Sequence, residues 1–307
     1  MADNTTSLGS LLTDGSIAGA YALNIADRNS FLEHPVIRES FIADLAGQKS
    51  TTAEKSAYGF GANGMASVAE GDTTTGTAIA NAALTATVAP WSLMREVTTL
   101  AQSIIGDPLS AANIIGADLA LSATASLMNQ ICAVIDGFTN TETDTGADLT
   151  LAHLLSALGT FSANNMRGPI MSVLHSVQWS QLSTDIATSG SGSIQFSTDG
   201  AELARYSGGA FKGSFLGVDF FSSNRVVMSG GADRAGALFG PDGIVWATAT
   251  PTVDSPAQQA LFGAGLLPML VDIDRAGATG VTALTGRIYT GVSKGLENGV
   301  SIITSAT

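Results

Sequence analysis

Residues 107–136 constrain this chain more than any other stretch. Leu109, Ala112, Ile115, Leu119, Ala123, Leu127, Ile131 and Ile135 recur at steps of three and four, the spacing that lines side chains along one face of an α-helix. Asp107 can cap it, Pro108 suits the first turn and Gly137 can end it. At 1.5 Å per residue the helix would be about 45 Å long, a beam across a domain. Asn113, Asp118, Asn129 and Gln130 make it a poor membrane span.

A different period precedes it. Ala82, Leu84, Ala86 and Val88 alternate with Ala83, Thr85 and Thr87, which predicts a strand, and EGDTTTG has turn composition. The spacing predicts a long two-stranded arm with a loose tip. Upstream, Pro35 opens a weakly helical piece in which Ile37, Phe41, Ile42 and Leu45 form an apolar stripe. That piece packs either on its own domain or, as part of an arm, on a neighbour.

Downstream, Leu151, Leu154, Leu155 and Leu158 predict a second helix closed by Gly159; GPIMSVLHS predicts a strand and SVQWSQL a short helical turn. Residues 189–213 are rich in Ser and Gly and are expected to be a mobile loop. FLGVDFFSSNRVV predicts a strand pair or a bulged strand. GALFGPDGIVWATATP predicts a strand and then a short helix near Pro241. The tail reads as strands joined by tight turns, with a hairpin turn at Asn298 and Gly299.

Composition narrows the function. Only 13% of residues are charged, against about 25% in average proteins, so much of the surface is expected to be covered by something else. The net charge is −13 and no basic run occurs, which argues against direct nucleic-acid binding through phosphates. Cys132 is the only cysteine and sits among apolar residues, which predicts a buried, inert thiol. The first residues carry neither the basic nor the apolar part of a secretory signal, so a soluble protein made inside the cell is expected.

Catalytic patterns fail on context. GFGANG, Gly59 to Gly64, has the GxGxxG spacing, yet neither a buried strand before it nor a helix after it is predicted. GVSKG places Ser293 in a GxSxG spacing, with no histidine after it to serve as base. His34, His153 and His175 lack partner spacing for a metal; His153 and His175 read as structural. The pairs Asp272/Asp274 and Glu142/Asp144 read as a solvated strand face and a turn. No enzyme, no cofactor and no metal site is expected.

The order of parts carries a resemblance. MASVAEGDTTTGTAIANAALTATVAPWSL is similar to the extension loop of tailed-bacteriophage major capsid proteins. GPIMSVLHSVQWSQL resembles the strand, histidine and helix of their axial domain, and GSFLGVDFFSSNRV followed by GALFGPDGIVWA resembles the strands after it. The likeness runs from about Ala66 to Ile303 as an ordered pattern.

This resemblance implies an α+β, Hong Kong 97-like fold, shared with encapsulin shells. It implies an N-terminal arm over 1–54, an extension loop over 55–95 and an axial domain over 140–268. The peripheral domain would be 96–139 with 269–307, holding the spine helix 107–136. It implies a subunit that assembles with itself into hexamers and pentamers of an icosahedral phage head around double-stranded DNA, in the host cytoplasm, with no membrane. Scaffolding, portal and decoration proteins are further partners that the resemblance allows. Tyr58, Ile79, Leu84, Val88, Ile37 and Phe41 are the expected intersubunit contacts. Lys55 stands at the base of the arm, and nothing marks it as a crosslinking lysine. Alternatives are an encapsulin-type compartment and, in another class, an Ala/Gly/Thr-rich adhesin or tail component.

Overall fold

The structure is a computed structural model that describes residues 17, 19–23, 34–47, 49–58, 81–98, 108–188, 211–231, 233–254, 259–262, 267–276 and 281–305. In chain order the elements are α1 (Pro35–Glu39), β1 (Phe41–Asp44), β2 (Thr52–Tyr58), β3 (Asn81–Thr87), β4 (Ala89–Thr98), α2 (Pro108–Ile135), β5 (Asn140–Asp144), α3 (Leu151–Ala163), β6 (Ile170–Leu174), α4 (Ser176–Thr188), β7 (Phe211–Phe215), β8 (Val218–Ser222), β9 (Asp233–Phe239), β10 (Ile244–Thr248), β11 (Gln259–Phe262), β12 (Met269–Ala276), β13 (Val281–Lys294) and β14 (Gly299–Ser305). One six-stranded sheet runs β1-β10-β13-β12-β11, with β4 also on β13; a second runs β5-β14-β9-β6-β8-β7; β2 and β3 form a ribbon.

The helical stripe read from the sequence is the shared core of both sheets. Ile115, Leu119, Ala123, Leu127, Ile131 and Ile135 of α2 are buried. They pack with Trp246, Met269, Leu284 and Ile288 of the first sheet and with Met171, Val173, Ala237 and Phe239 of the second. The last turn of α2 is held at both sheets: Ser301 Oγ donates to the Ile135 carbonyl at 2.6 Å, and Lys294 Nζ donates to that of Gly137 at 3.0 Å. Cys132 is buried on this helix, and burial pushes its thiol up to about 12. The other face of the second sheet packs against α3 and α4 through Leu154, Phe161, Leu182 and Phe220.

The sheets redraw the expected domain lines. β14 lies in the second sheet, beside β5 and β9, while β10 and β11 lie in the first. The chain thus crosses between sheets at 240–243 and again at 295–298. Pro241 therefore opens a turn rather than a helix: Gly243 N donates to the Gly240 carbonyl, and Asp242 sits at φ 60. Asn298 and Gly299 likewise end a crossover, not a hairpin. The Asn298 amide ties both crossovers down, accepting from Arg167 N at 2.7 Å and donating to the Pro241 carbonyl at 2.6 Å.

Tertiary contacts also override local pattern elsewhere. The helix over the Ile37–Leu45 stripe stops at Glu39, because Phe41–Asp44 is taken as a parallel strand on β10. α3 continues through Gly159 to Ala163, where burying Phe161 outweighs the glycine. The turn after His175 is a 13-residue helix, and Glu142 and Asp144 lie on a strand.

Two links fasten the N-terminal part. Ile17 and Tyr21 are buried in the main core, and a Cβ on Gly116 of α2 would stand 2.6 Å from Ala20 Cβ and 2.8 Å from Tyr21 N. Residues 34–40 then strap the sheets together. His34 Nδ1 accepts from Val36 N while Nε2 faces Asp219 Oδ2 of β8 at 2.9 Å; at the other end Trp246 Nε1 of β10 donates to the Ile37 carbonyl at 2.7 Å.

Gly116→Ala would gain roughly 1 kcal/mol in an open helix, but here the methyl meets backbone, and overpacking costs about 1–3 kcal/mol. We expect a lower denaturant midpoint for G116A, the reverse of the helix rule. The strap gives a pH prediction. The hydrogen bond from His34 holds the Asp219 carboxyl below its usual range, so its stabilisation is complete above that range and is lost as pH falls through the lowered value. Asp219→Asn should reduce thermal stability at neutral pH, with the gap to wild type closing below about pH 4.

Candidate assembly surface

The strand β4 is an outer strand of the first sheet, and it carries Pro90, Arg95 and Glu96. It pairs antiparallel with β13 from Thr98↔Val281 to Ala89↔Thr290, and among the described residues no strand pairs with its other side. Ten residues of unpaired edge form a template for another chain unless charge, proline or a bulge blunts it. Of the described side chains on β4 only Leu93 is half-buried; the rest are exposed. Trp91 and Met94 are 42% and 54% exposed.

Alternation along β4 turns Trp91, Leu93 and Arg95 to one face. Leu93 packs on the main core, and Arg95 reaches α2, donating from Nε to Asp118 Oδ2 at 2.5 Å. Trp91 Nε1 donates to the Thr290 carbonyl at 3.3 Å, which fixes the indole at the edge. On α2, Ile114 and Leu121 lie four before and three after Asp118, hence on its face; they are 59% and 43% exposed.

Trp91, Ile114 and Leu121 are thus three of the eight large apolar side chains exposed among the described residues, and all three lie on the side of the Arg95–Asp118 pair. The Arg95–Asp118 pair in their midst already cancels its own charge. Apolar side chains gathered this way mark an interaction surface, and α2 is accordingly apolar on two faces, one for the core and one turned outward.

The contacts expected from sequence fall elsewhere. Ile37 is 1% exposed and belongs to the main core, while Leu84 and Val88 are buried in their own chain. Val88 and Ala86 pack with Leu45, Ala53 and Ala247. Phe41 is half-buried on Trp246, ring centres 4.7 Å apart. The base of the ribbon therefore rests on its own subunit, pinned by Lys55 Nζ to Asp242 Oδ1 at 3.0 Å. Tyr58 ends β2 opposite Asn81; its side chain, Ile79, the distal arm and residues 189–210 lie outside the described residues.

The residues tested for chemistry have local duties. Ser293 lies inside β13, opposite Val245, with no elbow. His153 Nδ1 joins a capping box with Thr150, and its Nε2 faces Asp144 at 3.2 Å. His175 Nδ1 accepts from Val177 N, and burial with the nearby Arg234 charge moves its pKa down. Asp272 pairs with Arg287 at 3.0 Å. Among the described residues no three His, Cys, Asp or Glu side chains could hold a metal.

No family model matches the chain, and no curated protein is found similar to it in sequence. Solved structures are similar in fold. The capsid protein of Ralstonia phage GP4 superposes with a TM-score of 0.58 at 9% identity, covering 87% of this chain and 85% of that one. The capsid protein of cyanophage Pam1 gives 0.54 at 10% identity, over 87% and 88%. The SrpI encapsulin of Synechococcus elongatus gives 0.50 at 12% identity, over 75% and 79%. The chain has the Hong Kong 97-type α+β fold of phage capsid proteins, which this encapsulin shares.

The surface makes a mutational prediction. Replacing both Ile114 and Leu121 with Gln, a good helix former without charge, removes exposed apolar area with little other change. Far-ultraviolet circular dichroism and thermal stability of the isolated subunit should stay within about 0.5 kcal/mol of wild type, while self-association measured by sedimentation is lost.

Proposed function

We propose that the protein is the major capsid protein of a tailed bacteriophage, a structural subunit that assembles with itself into hexamers and pentamers of an icosahedral head enclosing double-stranded DNA. The observation that carries this is the outward apolar surface of β4 and α2 on a fold used by shell-forming proteins. A subunit with 13% charged residues leaves this surface to be covered by further copies of itself. A net charge of −13 suits a wall that encloses DNA without gripping its phosphates. The reading assigns no catalytic step to the chain and places it in the virion.

An encapsulin-type compartment is the second reading, favoured by the likeness to SrpI. The phage-head reading is preferred because the GP4 and Pam1 capsid proteins superpose over more of the chain than SrpI and with higher TM-scores. The division of labour in the arm follows from its base. Lys55 and the Val88 cluster hold β2 and β3 to their own subunit, leaving residues 59–80 to engage a neighbour.

Purified protein should form closed particles of megadalton size by sedimentation and electron microscopy; a compact monomer as the native form contradicts the proposal. Particles from infected cells should contain DNA, where an encapsulin would hold enzyme cargo. Replacing Ala62 to Asn81 by a short Gly-Ser link should leave the circular dichroism of the subunit nearly unchanged and abolish stable shells. Shells as robust as wild type would show that the arm is no clamp.

A further inference from the structure

Arg234 is a cation that the subunit surrounds and does not neutralise. Alternation along β9 places it on the side of Gly236, where an added Cβ would stand 3.0 Å from Gln178 of α4. The Arg234 carbonyl accepts from Gln178 Nε2 at 2.9 Å, which fixes the backbone there. Its guanidinium donates from Nη1 to the Val226 carbonyl at 3.2 Å, while Nε is buried without a partner. No ion pair among the described residues includes Arg234.

The nearby acids are committed elsewhere. Asp233 Oδ1 accepts from Gly146 N at 3.0 Å. Asp144 shares a row of the sheet with Thr304 and Arg234, and its Oδ2 faces His153 Nε2 at 3.2 Å. His175 brings no negative charge, and burial together with the Arg234 charge moves its pKa down. A buried donor left unmade on an uncompensated charge calls for a counter-charge.

The surroundings say what brings it. Arg234 is only partly buried, and Met228, its partner in a β-bridge and hence on the same face, is 58% exposed. A single cation beside an exposed apolar side chain fits a protein surface that carries a carboxylate. DNA fits less well, because phosphates are held by clustered cations, and the neighbouring Arg225 turns instead to Asn129 of α2. The chain itself has 26 acidic residues against 13 basic ones, so a further copy has carboxylates to spare.

We infer that Arg234 receives an Asp or Glu carboxylate of a second copy of this chain, with Met228 packed against that copy, so that the ion pair is completed on assembly. The inference rests on the shell reading above and adds a contact distinct from the β4 and α2 surface.

Arg234→Met separates folding from association, because it keeps the straight stem and removes the uncompensated charge. The isolated R234M subunit should melt at or above the wild-type temperature, yet need about tenfold more protein for half-assembly. R234K keeps the charge and should assemble near the wild-type threshold. Carbodiimide, which joins an amine to a carboxylate with loss of water, should then link position 234 to an Asp or Glu in R234K particles. Mixed isotopically heavy and light subunits should show by mass spectrometry that the link joins two copies. Wild-type shells together with unchanged R234M assembly would overturn this pairing alone, and lowered DNA content in such particles would assign the site to phosphate instead. R234K particles with no link at position 234, or a link only within one copy, would overturn it too, as would an R234M subunit that melts well below wild type. Wild-type protein that forms no shell would overturn the shell reading as well.

Discussion

Everything else in this subunit depends on the burial of one helical stripe between two sheets. Leu119, Leu127 and Ile135 of α2 have essentially no exposure, and each fully buried aliphatic side chain contributes about 1.5–3 kcal/mol. The same stripe is the floor of the first sheet and the ceiling of the second, and the second sheet has a further core with α3 and α4 on its other face. The crossovers at 240–243 and 295–298, the Asn298 amide and the strap over 34–40 fix the angle at which the two sheets meet the helix. Close approach of the N-terminal segment at Gly116 completes the packing.

A helix committed to the core on one side can still have another purpose on the other. Ile114 and Leu121 face outward on α2, next to an edge strand that carries Pro90, Arg95 and Glu96 and exposes Trp91. A monomer would be poorly served by such a surface. Under the shell proposal the rigid core fixes the position of that surface, so that copies can meet at reproducible angles. The second sheet also carries charge at its outer strands, Glu142 and Asp144 on β5 and Lys212 with a register shift on β7.

The parts legible in the sequence were those set by periodicity. The stripe from Ile115 to Ile135 was readable because every third or fourth position is apolar, and Leu84, Ala86 and Val88 were readable because alternation selects one face of a strand. Pairing partners were not readable. Nothing local says that β14 joins β5 and β9 instead of β13, since that depends on two crossovers held by Asn298. The expected contacts at Ile37, Leu84 and Val88 failed for a related reason: an apolar residue on an arm looks the same whether its own body or a neighbour buries it. Ile114 and Leu121 could have been found, because they are large apolar residues lying off the buried stripe of α2. A helix apolar on two sides needs two covers.

The central claim is that α2 has an inner face for folding and that its outer face, with β4, serves assembly. Hydrogen exchange on dissociated subunits and on assembled particles tests it directly. The outward amides of Ala89–Thr98, unpaired among the described residues, should exchange fast when dissociated and become strongly protected on assembly. The amides of α2 around Leu127 should be protected in both states. Equal, fast exchange of the β4 amides in both states would contradict the account.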